Sequence, residues 1–197
     1  TFSPTFHLLS ILITAGPTWV AIDKVRVISN IASGETGILL SREAKRTGAK
    51  VTLLLGPGVS TCCLPRTVRV VHFRFFDELQ KQMLGELLKH KYDAVIHCAA
   101  VADYRLRKVF GGKIGSDRKG LKLGLEPTPK ILDMIRKEAS SSVLAAFKFQ
   151  PQALRSELLN KSRTLMARSG SDIVVANTVN NGKYKAYILK PDAVSGP

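Results

Sequence analysis

HLLSILITAG, residues 7–16, is a continuous apolar run that stops at a glycine. That is the pattern of a strand buried on both faces, as in a parallel sheet. TGILLSREAKRTG (36–48) then places Ile38, Leu39, Arg42 and Lys45 at helical spacing and ends at Gly48, a C-terminal stop signal. KVTLLLG (50–56) reads as a strand, followed by a loop with Gly-Pro-Gly and two adjacent cysteines. RVVHF (69–73) is a strand, DELQKQMLGELLKHK (77–91) an amphipathic helix, and DAVIHCAA (93–100) a strand ending in small residues. PKILDMIRKEA (129–139), SVLAAFKF (142–149), ALRSELLNKSRTLMARSG (153–170) and DIVVAN (172–177) continue as helix, strand, helix and strand. KYKAYILK (183–190) alternates like an added strand, and the terminal VSGP reads as frayed. Strands alternating with helices imply βαβ units and right-handed crossovers. The expected fold is α/β, a doubly wound, mostly parallel (Rossmann-like) sheet with helices on both faces, in one domain over 1–197. Ligands in such sheets bind at the carboxyl ends of the strands, which directs attention to the loops after residues 16, 56, 100, 149 and 177.

Composition agrees with a globular chain: 197 residues, 45% hydrophobic, with no apolar run near the roughly 20 residues of a membrane span. The first residues lack the charged head and cleavage site of a signal peptide, so a cytoplasmic protein is expected. Three cysteines, with Cys62 and Cys63 adjacent, suggest neither a disulfide framework nor a zinc site. The net charge is +15. It points to anionic partners, nucleic acid or small phosphorylated ligands. Residues 103–136 are the densest stretch, with nine Lys/Arg, Arg118 among them, against four acids. The bases are otherwise spread along the chain and not gathered in a tail or stripe, so nucleic acid is the disfavoured partner.

Two strand ends carry the chemistry. ITAGPT (13–18) turns at Gly-Pro, and an excursion of about twenty residues ends in VISNIASGETG (27–37), just ahead of a helix. There is no G-x-G-x-x-G and no G-x-x-x-x-G-K-[ST]. Ser29, Asn30, Ser33 and Gly34 lie before a helix N-terminus, where backbone N–H groups and the dipole favour anions. A capped turn, with Ser33 or Thr36 as N-cap, explains the same residues. HCAAVADYR (97–105) ends its strand in alanines that would let a flat ring approach the backbone, with Asp103 able to accept from ribose hydroxyls. Ordinary packing of alanines is the competing reading.

Together, ITAGPT…IDKVRVISNIASGETG and CAAVADYR resemble the phosphopantothenoylcysteine synthetase family. GKIGS (112–116), LEPTPKIL (125–132), AAFKF (145–149) and DIVVAN (172–177) extend the resemblance collinearly over about residues 8–190. It implies a ligase of coenzyme A biosynthesis, joining 4′-phosphopantothenate to cysteine through an acyl-nucleotide. By the same resemblance Asn30 serves that intermediate and Lys113 the α-phosphate, the two catalytic candidates. Gly16, Thr18, Ser33, Gly34, Ala99, Ala100, Asp103 and Phe147 are the nucleotide-binding candidates. CTP is expected ahead of ATP, with Mg²⁺ bridging phosphates and no dedicated protein metal site. A homodimer is implied, with residues 104–125 and the 183–197 tail as an excursion or flap, and many relatives are fused to a flavin-dependent decarboxylase.

The chain departs from the family's pattern in places. Pro17 replaces a glycine, Glu35 stands where a lysine is common, and Gln150-Pro151 replaces an acid and threonine. Two lysines of the last helix read Leu165 and Ser169, with Arg163 or Arg168 as candidate substitutes. Two other readings stay open: a nicotinamide-dependent reductase, against which the glycine fingerprint is missing, and a nucleotide- or nucleic-acid-binding module without catalysis.

Overall fold

A computed structural model describes residues 8–117 and 119–197; His7 of the first predicted strand and Arg118 of the basic loop lie outside the described residues. In chain order the first half comprises β1 (Ser10–Ala15), β2 (Trp19–Ala21), β3 (Val27–Ser29), α1 (Glu35–Arg46), β4 (Lys50–Leu55), β5 (Arg69–His72) and α2 (Phe76–Lys89). β6 (Ala94–His97), β7 (Tyr104–Leu106), β8 (Leu125–Pro127), α3 (Ile131–Glu138), β9 (Val143–Phe149) and α4 (Arg155–Ser169) follow. The chain ends in β10 (Ile173–Asn180), β11 (Lys183–Lys190) and β12 (Ala193–Ser195).

The main sheet runs β12-β11-β10-β9-β6-β1-β4-β5. β1 is central, paired in parallel with β4 on one edge (Ser10 opposite Lys50) and β6 on the other (Ile11 opposite Ala94). β5, β9 and β10 extend the parallel set, and β11 and β12 add antiparallel strands. The chain winds outward from β1 to β5 and then restarts at β6 on the other side of β1. The crevice between β1 and β6 is therefore the topological switch point, where open α/β sheets bind ligands.

Alternation along each strand assigns the helices to faces. Leu12, Leu54, Val95 and Leu144 pack with Phe76, Leu79 and Met83 of α2 and with Ile131 and Ile135 of α3. Ile13, Ala15, Leu53 and Leu55 point the other way, against Ile38 of α1. Ala146, two residues past Leu144 and so on the α3 face, packs with Leu158 and Leu159 of α4. Truncating one of the fully buried leucines to alanine costs about 2–5 kcal/mol, enough to threaten a domain of this size. At the sheet's far edge, buried Glu86 accepts two hydrogen bonds from Arg69 and one from the Tyr92 hydroxyl, which satisfies a carboxylate the core could not otherwise hold.

Every long predicted element is present with its ends shifted by a few residues. Three features differ from the sequence reading. Trp19–Ala21 and Val27–Ser29 form a hairpin, and Tyr104–Leu106 pairs with Leu125–Pro127 to close the basic excursion. These strands are three residues long, too short to show a period; Val27–Ser29 is exposed throughout. The terminus is not frayed, because Ala193–Ser195 pairs with β11.

Candidate active site

A cavity of about 830 Å³ opens at the carboxyl ends of β1, β6, β9 and β10. Of the residues singled out from sequence, Gly16, Ser33, Gly34, Ala99, Ala100, Asp103 and Phe147 line it. Thr18, Asn30 and Lys113 do not.

One wall is the start of α1. Gly34 is the N-cap, in the left-handed region at φ +72°, and Ser33 Oγ accepts from Glu35 N–H at 3.3 Å. The cap is thus glycine, not a serine or threonine. Gly37 makes the wall possible: a Cβ there would overlap the Cβ of Ala15 and stand 3.2 Å from Cys98 Sγ. The first turn of α1 therefore lies directly against β1, and Glu35, Thr36 and Gly37 line the crevice. The only charged residue of this wall is Glu35, exposed in the first turn, where its carboxylate complements the dipole.

The floor is the chain after β6, fastened from below. Thr14 Oγ1 accepts from Ala99 N–H at 3.1 Å and lies 2.9 Å from His97 Nδ1. The Thr14 hydroxyl can donate to Nδ1 of the Nε2–H tautomer or accept from Nδ1–H, and either way the imidazole it serves is neutral. Burial agrees, holding the His97 pKa down at about 4. Thr18 is fully buried; its Oγ1 accepts from Ala102 N–H at 2.9 Å and its own N–H donates to Ala100 O at 3.1 Å. This corrects the expectation that Thr18 touches a nucleotide: it braces the floor. Asn30 is exposed at the cavity's edge, and its Nδ2 donates to Ala100 O at 2.9 Å, joining the two motif loops directly.

The opposite wall comes from β9, α3 and α4. Phe147 is half-buried, and Asp103 pairs with Lys130 at 2.6 Å. Lys148 and Arg168 also line this side, and among the described residues neither is in an ion pair. Of the two candidate substitutes for the family lysines, Arg168 lines the cavity and Arg163 does not. Ser169 is buried, bonded to Leu165 O and Ser171 Oγ, so no cation could project from it. Asn177, on β10 opposite Phe149 at the end of β9, leaves its Oδ1 buried without a hydrogen-bond partner among the described residues. His97, Lys130, Lys148 and Asn177 are thus cavity residues the sequence reading passed over. Asn177 stood in plain view as the last residue of DIVVAN.

Lys113 is exposed on the loop between β7 and β8, away from this chain's cavity wall. Its neighbour is firmly held. Asp23 Oδ2 accepts from Ile114 N–H at 3.0 Å and from Arg26 Nη1 at 2.7 Å, and Arg26 Nη1 also donates to Ile114 O at 3.1 Å. Asp23 Oδ1 takes the N–H groups of Val25 and Arg26. The Ile114 N–H bond leads these contacts in depressing the Asp23 pKa far below the usual carboxylate range, against the opposing effect of burial. Asp23 thereby pins the loop beside Lys113 to the β2–β3 turn, a role the D-x-x-R spacing signals only in hindsight.

Residues 7–187 match the family described as DNA/pantothenate metabolism flavoprotein C-terminal domain. The chain is 36% identical over 169 residues to a coenzyme A biosynthesis bifunctional protein CoaBC of Thermococcus kodakarensis, covering 86% of this chain and 41% of the relative. It spans about two fifths of the length of the curated relatives it matches. Among solved structures, a DNA/pantothenate metabolism flavoprotein from Streptococcus pneumoniae superposes with a TM-score of 0.86 at 21% identity, over 96% of this chain and 92% of that one. A Cab2 H337A mutant in complex with phosphopantothenate-cysteine gives a TM-score of 0.77 at 16% identity, over 96% and 80%. These two share the fold; the family match over nearly the whole chain decides kinship. The cavity is formed by the loops of that family's motifs, at the switch point of its sheet, and the chain belongs to the DNA/pantothenate metabolism flavoprotein C-terminal domain family.

Proposed function

We propose that the chain is a phosphopantothenate–cysteine ligase of coenzyme A biosynthesis, working through an acyl-nucleotide. The observation that carries this reading is the Asn30–Ala100 hydrogen bond, which ties SNIASG to CAAVADYR over the switch point. Family membership supports it, as do the name of the Thermococcus relative and the product-like ligand named for the Cab2 structure.

In the proposed reaction a carboxylate oxygen of 4′-phosphopantothenate attacks the α-phosphorus of a nucleoside triphosphate, and pyrophosphate leaves. The amine of cysteine then attacks the acyl carbon and gives up a proton as the nucleoside monophosphate departs. Both steps build charge on oxygen, so oriented donors matter more than a covalent nucleophile. Gly16, Ser33, Gly34 and the start of α1 are proposed to take phosphate oxygens, Ala99, Ala100 and Phe147 to face the base, and Asp103 the ribose. The Asn30 amide attends the acyl-nucleotide, because it donates and accepts without titrating. Lys113 is proposed to reach the α-phosphate from the 104–125 excursion, which is also the proposed contact of a homodimer. Lys148 and Arg168 supply positive charge in place of the lysines absent at Leu165 and Ser169.

CTP is the proposed nucleotide. Among the described residues no group of three or more His, Cys, Asp or Glu is placed to hold a metal ion. Mg²⁺ is proposed as an ion that arrives with the triphosphate and is held mainly by phosphate oxygens and water. Among the described residues no helix is long and apolar enough to cross a membrane. Residues 1–197 are proposed as one ligase domain acting in the cytoplasm, alongside a flavin-dependent decarboxylase, fused or separate.

The test is pyrophosphate release from CTP or ATP with each acid substrate in turn. Release that requires 4′-phosphopantothenate, with amide formed only when cysteine is added, is the expected result. Release indifferent to the pantothenate substrate removes the assignment.

A further inference from the structure

Between β4 and β5, residues 56–68 carry two adjacent thiols that the proposed reaction does not use. Cys62 and Cys63 are both exposed, and their sulfurs stand 3.5 Å apart in a hydrogen bond. The loop that presents them is held in shape. Val59 packs over Gly16 and Gly34, close enough that a Cβ on either glycine would meet its methyl groups at 2.8 or 2.6 Å. Val59 and Leu64 both join the apolar cluster under α1. Cys62 N–H donates to Ser60 Oγ at 3.4 Å, and Leu64 N–H to Thr61 O at 3.0 Å. Hydrogen bonds from Ser60 and then Cys63 draw the Cys62 thiol below its ordinary pKa, and Cys63 is raised in turn by its hydrogen bond to Cys62 and then by the charge there.

Two thiols this close would ordinarily suggest a disulfide. Adjacent Cα atoms across a trans peptide lie about 3.8 Å apart, short of the 4.4–6.8 Å or so that a disulfide prefers, so direct closure is strained. A larger atom inserted between the sulfurs relieves that strain. We propose that Cys62 and Cys63 form a two-thiol acceptor site for trivalent thiophilic electrophiles of the arsenoxide class.

The chemistry balances without an oxidant. Two S–H bonds break, two As–S bonds form at one arsenic, and the arsenoxide oxygen leaves as water carrying both protons. Arsenic stays trivalent throughout. Cys98 supplies an internal contrast: burial pushes its thiol up to about 12, and its Sγ donates to Thr14 O. It has one sulfur, a buried setting and no neighbouring thiol.

Phenylarsine oxide added to the reduced whole chain tests the site by intact mass. One equivalent is expected, resistant to excess 2-mercaptoethanol and released by the dithiol 2,3-dimercaptopropanol. Cys62→Ser and Cys63→Ser each lose the monothiol-resistant adduct, while Cys98→Ser keeps it. Release from the unsubstituted chain by the monothiol overturns the proposal without recourse to any variant. So does a resistant adduct that survives in either Cys62→Ser or Cys63→Ser.

Discussion

The two walls of the cavity offer anions quite different receptions. The α1 wall holds backbone N–H groups at a helix start, fixed by glycines that no side chain could replace, and its one charged residue is Glu35. The α3–α4 wall offers side-chain cations, Lys130, Lys148 and Arg168, with Asp103 already paired to Lys130. Backbone donors are pre-set and hardly adjust; lysine and arginine are mobile charges that salt screens. The first wall should therefore govern where a reacting phosphorus sits, and the second how strongly a polyanion is drawn in.

The largest effect is expected at the seam between the walls. Asn30→Ala removes the tie to Ala100 and should lower amide formation by about 10²–10³-fold, as loss of a positioned donor does elsewhere. Single-turnover kinetics should locate that loss in chemistry, with nucleotide affinity nearly unchanged; a loss confined to affinity would put Asn30 on the binding side instead. Acid attacks the floor that joins the walls. His97 has its folded pKa depressed to about 4 by burial, so the unfolded chain binds the extra proton first. The stability it contributes is complete above about pH 6.5 and falls away toward pH 4, by about 3 kcal/mol in all. Melting temperatures across that range should decline less steeply for His97→Asn than for the native chain.

Gly34→Ala probes the rigid wall. Forcing a Cβ into the left-handed cap against Val59 should cost about 1–3 kcal/mol of stability and weaken nucleotide binding equally at low and high salt. Lys148→Ala with Arg168→Ala probes the other wall: about tenfold weaker nucleotide binding at low salt, shrinking as salt rises. Equal salt dependence in both variants would erase the distinction between the walls. The smallest change is expected from Glu35→Gln, which removes the one like charge near the helix start and should tighten nucleotide binding by about two- to fivefold.

Much of this was readable in the chain itself, for definable reasons. β1 and β4 are covered on both faces over most of their length, and such strands write themselves as unbroken apolar runs. Gly16, Ser33, Gly34, Ala99, Ala100, Asp103 and Phe147 meet in one cavity because they follow or end parallel strands, and topology gathers strand ends. Thr18 shows where that logic stops: its position beside a strand end was readable, but not that its hydroxyl is spent on Ala102. Lys148 sat unnoticed inside a strand-like AAFKF, and Arg168 among thirty dispersed cations. Only packing of α4 against the sheet distinguishes Arg168 from Arg163. The β2–β3 hairpin escaped because its strands are three residues long, too short to write a period, and its turn is anchored by one carboxylate, Asp23.

The central position of β1 also has a consequence for how the molecule is born. Its β4 edge is closed by residues 50–55, but its other edge waits for residues 94–97. During synthesis the three main-sheet strands within residues 10–72, β1, β4 and β5, can associate while Ile11 through Thr14 still present an open, apolar strand edge. Until β6 leaves the ribosome, that edge is the part of the nascent chain most exposed to mispairing, and the segment a chaperone would have most reason to cover.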